Sequence, residues 1–256
     1  MKACCGEQKR NEGLKLALHW TVSQRVSVVQ RFARAGADAT PRTVNDERFL
    51  KKIVFSDGAA FHVCGHVHRH NVRVWAAENP RADVGYERNT PKVNVRCALM
   101  HDKVIGPFFF EEPTVTSNIY IDMLQLFAVP QFQEGLIFQQ DGAPPHYGNI
   151  VREFLDTTFP QRWIGRGAVM AWPPRFPDIT PLDFYLWGYV KQHVYSERIN
   201  DINNLKQRFT DVIHSVTPDV LTRVWEELDY RLDMCRATNR TALNRYANLE
   251  RFPFIW

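Results

Sequence analysis

The segment EGLIFQQDGAPPHYGN, residues 134–149, limits the possible folds of this chain more than any other. Its run Leu136, Ile137, Phe138 is short, apolar and uninterrupted, as in a strand buried on both faces. The Gly-Ala-Pro-Pro that follows can extend neither strand nor helix, because proline lacks an N–H and restricts the residue before it. Asp141 therefore stands where a buried strand stops. A carboxylate at that place is positioned for chemistry, or it opens a turn. The segment by itself leaves both open.

The pattern on either side points to an α/β chain. Residues 16–35 read as a helix, with Val26, Val29 and Phe32 at helical spacing and Thr21 or Ser23 as a cap. A turn-rich loop follows over 36–47. Strands are expected in KKIVFSDGAAFHV, NVRVW, KVNVRCALM and VIGPFFF, with a polar, turn-rich stretch at 76–91. Then come a helix in SNIYIDMLQLFAVPQF, the strand before Asp141, a helix in NIVREFLDTTF with Val151, Phe154 and Leu155 on one face, and a short strand RWIG. A proline-rich loop AWPPRFPDITP leads into three helical runs, LDFYLWGYVKQHVY, INNLKQRFTDVIHSV and PDVLTRVWEELDYRLDMCRA. Early strands followed by alternating strand and helix predict a mixed sheet flanked by helices. With 45% hydrophobic residues over 256 positions, a core of domain size is within reach.

The same composition narrows the functional classes. No apolar run has the length of a membrane span, and MKACCGEQKRNEG lacks the apolar centre of a secretory signal. Five cysteines, odd in number and without CxxC spacing, read as free thiols of a reducing compartment. The excess of 32 basic over 28 acidic residues, +4, fits a polyanionic partner without requiring one.

Three aspartates stand out by position. Asp57 follows IVFS and is expected at the end of the first strand, Asp141 ends a later one, and Asp183 lies in ITPLDFYLW. There Thr180 is a candidate cap, Pro181 suits the first helical position, and Asp183 falls in the first turn, near the positive end of the helix dipole. If the two strands are neighbours, the three carboxylates converge at one edge. Such a cluster repels itself unless cations neutralise it, and magnesium suits an all-oxygen site. Taken singly, each aspartate reads first as a turn or capping residue, and only together do they suggest a metal site.

The segments FSDGAAFHVCGHVHRHNVRVW, PKVNVRCALMHDKVIGPFFF, FQQDGAPPHYGNIVREFL and WPPRFPDITPLDFYLWGYVK, in this order, resemble the catalytic domain of mariner-type transposases of the DDE/D superfamily. SVTPDVLTRVWEELDYRLDMCRATN resembles the C-terminal helices of arthropod members. The resemblance implies a ribonuclease-H-like fold over 48–198, C-terminal helices over 199–239, and an unfamiliar tail over 240–256. It also implies two-metal cleavage and strand transfer of DNA with Mg2+, for which Mn2+ substitutes. The first acid falls on Asp57 and the second on Asp141. The third falls on Asp183 of PDITPLD, with Asp178 as second choice. His146 matches a position that contacts DNA or orders the loop, a surface turn histidine being the alternative. Arg69, Arg73, Arg162, Arg166 and Arg175 are candidate contacts to DNA phosphates, or solvated surface. The partners implied are transposon ends and target DNA, with a possible homodimer, in the nucleus.

The sequence departs from the family in several places. Gly58 stands where relatives usually carry Glu, Arg96 where they usually carry Trp, and Phe176 where Ser is usual. Arg96 falls inside an expected strand and must snorkel or find a partner. Relatives carry two helix-turn-helix units before the catalytic domain. Residues 1–47 are expected to hold a partial remnant of these and a linker, so that recognition of transposon ends is impaired. His62, Cys64, His66, His68 and His70 alternate as zinc ligands on one strand face would, but Gly65 interrupts them and an exposed hairpin is the expected reading. Trp172, Trp187 and Trp225 read as packing residues. Two other functional classes remain beside the transposase: a non-catalytic nucleic-acid-binding or interaction module, and a nuclease of the same fold that cuts without joining.

Overall fold

A computed structural model describes residues 47–65, 90–170, 172 and 179–238. The expected helix over 16–35, the strand NVRVW, and Arg69, Arg73, Arg175 and Asp178 lie outside them. So do His66, His68 and His70 of the alternating histidine run.

A short helix α1 (Glu47–Lys51) turns directly into β1 (Ile53–His62), so the expected strand starts two residues late. β2 (Lys92–Leu99) and β3 (Val104–Phe110) follow. Next comes α2 (Ser117–Met123), which runs on through a π-helical turn, Leu124–Ala128, and a 3-10 turn, Val129–Gln131. The Thr116 hydroxyl caps α2 by accepting the Ile119 N–H. β4 (Ile137–Gln140), α3 (Asn149–Thr158) and β5 (Trp163–Ile164) complete the alternating part. The chain then passes through a π-helical turn, Leu182–Leu186, into α4 (Trp187–Val194), and on to α5 (Ile202–His214) and α6 (Pro218–Thr238).

The strands form one mixed sheet in the order β3-β2-β1-β4-β5. β1, β2 and β3 are antiparallel neighbours, while β4 joins β1, and β5 joins β4, in parallel. The two faces of the sheet carry separate cores, because successive strand residues point to opposite sides. On one face Ile53, Phe55 and Phe61 of β1 pack with Leu182, Leu186 and Val190, and with stripes from the last two helices. α5 contributes Leu205, Phe209 and Ile213, and α6 contributes Leu221, Val224, Trp225, Leu228 and Leu232. These recur at intervals of three and four, the period of one helix face. Trp225 also ties α6 to α1, its indole N–H donating to the Leu50 carbonyl at 3.1 Å. On the other face Val54 and Phe138 pack against Tyr120, Leu124, Val151 and Leu155 from α2 and α3. Phe154 is only half-buried.

Candidate active site

The parallel pairing of β1 and β4 runs from Ile53 opposite Ile137 to Ser56 opposite Gln140. Asp57 and Asp141 are the next residue of each strand, immediately beyond the shared register. The sequence placed Asp57 at a strand end. It is instead the fifth residue of a ten-residue strand, because β2 continues the pairing on the other side as far as His62. What ends beside Asp57 is β4, where the Gly-Ala-Pro-Pro segment forces the chain out of the sheet. The resulting notch opens where β1 presents Asp57 and the residue just past β4 is Asp141.

The third acid comes from the helical layer. Pro181 precedes the π-helical turn, and the Thr180 carbonyl accepts the Asp183 N–H at 2.9 Å. The Thr180 side chain, expected as a backbone cap, bonds the Asp183 carboxyl instead. Asp183, Trp187 and Lys191 follow at intervals of four, so they share a helix face. The Trp187 indole N–H donates to Asp57 Oδ2 at 2.7 Å, joining that face to β1.

Charge links the acids: Asp141 acts on Asp57, and both act on Asp183. Burial raises the Asp57 carboxyl above its ordinary value, helped by the Asp141 charge, while the Trp187 hydrogen bond and Arg96 oppose it. Burial among protein atoms and the charges of Asp57 and Asp141 push Asp183 up to about 7, against the pull of Lys191 and Thr180. Asp183 is exposed, so water screens part of this repulsion. Burial acts on Asp141 in the same upward sense, but the hydrogen bond from His146, the Arg96 charge and the Ala143 N–H overcome it and hold Asp141 low.

Behind Asp141 lies a buried polar chain. His146 is 8% exposed and bonds Asp141 Oδ1 through Nδ1, so it is not a surface turn histidine. Its Nε2 accepts from Arg96 Nη1 at 2.9 Å, which fixes the neutral tautomer with the proton on Nδ1, facing the carboxylate. Burial and the Arg96 charge both favour that neutral form. Arg96, 3% exposed, also donates from Nε to Ser56 Oγ at 3.0 Å and lies over the Tyr120 ring, 4.6 Å from its centroid. Tyr120 and Gln140 close the network: the Tyr120 hydroxyl donates to Gln140 Oε1 at 2.7 Å, and Gln140 Nε2 donates to the His146 carbonyl at 2.9 Å. The strand cation has found its partners. Arg96 lies across from Gly58 in the β1–β2 register, and a side chain at position 58 would begin 3.7 Å from Arg96 Nη1.

The donor set fits a hard divalent cation. The three groups are all carboxylates, and each raises the energy of the others when unneutralised. Among the described residues no three such side chains close on one point. Magnesium does not require that, since it binds through one or two carboxylates and keeps several waters. Trp187, Lys191 and the Arg96–His146 link were not assigned to the site from sequence. The spacing of four from Asp183 would have found the first two, whereas Arg96 and His146 are 50 residues apart and meet only in the tertiary fold.

Of the candidate DNA contacts, Arg162 is half-buried and spends Nη1 on the Leu136 carbonyl at 3.1 Å. Arg166 is exposed and lies over the Tyr147 ring, 4.1 Å from its centroid. His62 and Cys64 are half-buried beside the end of β1.

A five-strand mixed sheet with helices on both faces, an acid on β1 and another just past the end of the parallel strand beside it is a ribonuclease-H-like fold. Among solved structures, the chain is similar to Mos1 mariner transposase. The Mos1 chain of a pre-cleavage transpososome matches with a TM-score of 0.63 at 18% identity, over 87% of this chain and 63% of that one. The Mos1 catalytic domain solved with Raltegravir and Mg matches with a TM-score of 0.62 at 17% identity, over 87% of this chain and 96% of that one. The Mos1 paired end complex with Mn gives 0.61 at 19% identity. The chain thus spans under two thirds of the Mos1 transposase in its DNA complexes and nearly all of its isolated catalytic domain. No family model and no curated protein matches the sequence. Among the described residues no helix is long and apolar enough to cross a membrane.

Proposed function

We propose that this chain is a transposase catalytic domain of mariner type, which cuts DNA strands and joins them to new ones with divalent metal. The placement of Asp57 and Asp141 side by side where β4 ends, with Asp183 close enough to feel both charges, carries the reading. The fold shared with Mos1 transposase, whose structures include a strand transfer complex and complexes with Mg and Mn, supports it. Asp57 and Asp141 would hold the metal, with Asp183 completing the set. When bound, such ions activate the attacking oxygen and stabilise the leaving one in an in-line displacement at phosphorus.

The chain's own groups do the positioning. Trp187 and the Gly58 N–H orient the Asp57 carboxylate. His146 and the Ala143 N–H orient Asp141 and keep it ionised. Arg96 holds His146 in the tautomer that donates to Asp141, and Lys191 moderates the charge at Asp183. This reading carries with it DNA as partner, action in the nucleus, and pairing of two copies on two DNA ends.

Thermal unfolding with and without Mn2+ tests the site independently of DNA. Ligand binding to the native state raises its stability by mass action, by about 2.7 kcal/mol at a hundredfold excess over Kd. Mn2+ is expected to raise the midpoint of the wild type, and Asp141→Asn is expected to lose most of that rise. A folded wild type that ignores Mn2+ would leave a binding module as the better description. A hydroxyl-primed strand-transfer assay then separates a transposase from a plain nuclease, which would cut without joining.

A further inference from the structure

Six residues beyond Asp141, on the same loop, Tyr147 carries two guanidinium groups on its ring. Arg166 lies 4.1 Å and Arg152 4.7 Å from its centroid. The cluster gathers side chains from the 3-10 turn Pro144–Tyr147, from α3 and from the turn after β5. Two glycines make room for it. A side chain at Gly142 would begin 3.1 Å from Arg166 Cβ, so the Arg166 stem occupies that space, directly beside Asp141. Gly167 adopts φ +86°, and a side chain there would begin 3.0 Å from Tyr147 Cε2 and 3.2 Å from Arg152 Cδ.

The charge balance of the cluster is unusual. Two cations share one ring, and neither pairs with a carboxylate among the described residues. Arg152 gives one N–H to the Asn149 amide oxygen at 2.5 Å, and its buried Nε has no partner. The ring quadrupole attracts each guanidinium, but the cations repel one another, and an anion between or above them would relieve that repulsion. Guanidinium is the side chain that matches phosphate geometry. A positive cluster held on the rim of the acidic notch is suited to a polyanion whose reacting phosphate must approach three carboxylates.

We infer that Tyr147, Arg152 and Arg166 form a phosphate-binding platform that seats the DNA backbone next to the acidic site. The tyrosine serves as a rigid spacer that sets the two guanidinium groups apart and holds them toward solvent. The inference rests on the proposed DNA-processing function and assigns it a specific contact surface, two of whose residues, Tyr147 and Arg152, the sequence did not mark.

The test is fluorescence anisotropy of a labelled DNA duplex with the full chain in EDTA, across a salt titration. Each phosphate contact contributes about −0.9 to the slope of log K against log salt. Arg166→Gln is expected to make the slope shallower by about 0.9, and Arg152→Gln with Arg166→Gln by about 1.8. Lys92→Gln, which removes the same charge from an exposed residue at the far end of β2, is expected to leave the slope unchanged. Thermal midpoints measured alongside identify loss of binding through unfolding, and Arg166→Lys, which keeps the charge, is expected to restore most of the slope if Arg166→Gln proves unstable. If wild type and double variant share one slope and affinity, the platform is overturned while DNA binding stands. If the wild type shows no salt-dependent binding, the DNA reading and the platform fall together. A slope reduced equally by Lys92→Gln would also overturn the platform, since only net charge would then matter.

Discussion

Arg96 is a buried cation in the middle of a strand, and its partners are all polar groups of the site: Ser56, His146 and, through His146, Asp141. Arg96→Met keeps the stem's packing but leaves Ser56 Oγ and His146 Nε2 without their donor. Unsatisfied buried groups cost about 1–3 kcal/mol each, so urea denaturation is expected to show a loss of about 2–6 kcal/mol. Gly58→Glu is expected to be tolerated within about 1 kcal/mol, because a side chain there meets only ordinary contacts and starts near the Arg96 guanidinium. A double-mutant cycle between the two positions should show favourable coupling, and additive effects would contradict the contact. Asp183 gives a pH signature. Its folded value of about 7 lies above the ordinary 3.8, so its protonated form is favoured on folding. That contribution is fully present below 3.8 and lost as pH rises through about 7. The metal-free protein should therefore lose stability over this window, and Asp183→Asn should flatten the profile measured by denaturant titration at successive pH values.

At the scale of elements, the helix that begins at Pro181 does two jobs with one face and the sheet. Leu182, Leu186 and Val190 are fully buried in the core, while Asp183, Trp187 and Lys191 run along the flank toward β1. β4 is short because prolines stop it, and its shortness leaves Asp57 open on that side. α6 is part of the same core: Leu221, Val224, Trp225, Leu228 and Leu232 are each at most 6% exposed. Burying one such side chain is worth about 1.5–3 kcal/mol, so five together are comparable to the whole marginal stability of an ordinary domain, about 5–15 kcal/mol. A chain ended after Val216 is expected to show no cooperative thermal transition by circular dichroism. A transition retained near the wild-type midpoint would show α6 to be dispensable.

For the whole molecule, the sheet separates two cores and sets Asp57 and Asp141 side by side where β4 ends. The antiparallel half, β3-β2-β1, anchors Asp57 and Arg96 on adjacent strands in fixed register, and the parallel half adds Asp141. A crossover through α2 is needed to bring β4 beside β1 in parallel, since parallel neighbours cannot be joined by a tight turn. The acids thus come from residues 57, 141 and 183, and only the folded chain assembles them. Tyr147, which carries the guanidinium pair, lies on the loop that Asp141 opens, so positive groups stand next to the negative ones.

The sequence by itself determined the order of strands and helices over the described residues, the strand ending before Asp141, and the helix that carries Asp183. These follow from apolar periodicity, from proline's missing N–H and from cap chemistry, all of which act within a few residues. It marked the three aspartates, and the resemblance of whole segments grouped them into one site. Local pattern set the end of β1 wrongly at Asp57, because a strand's length depends on the partner it pairs with, and β2 lies more than thirty residues away. It left His146 open between a DNA-contacting or loop-ordering residue and a surface turn histidine, and took Trp187 for packing alone. Only the tertiary structure decided that Arg96 reaches His146, that Trp187 holds Asp57, and that Arg152 and Arg166 meet on Tyr147. Such contacts depend on register and crossover between distant segments, and no short-range period in the chain encodes them.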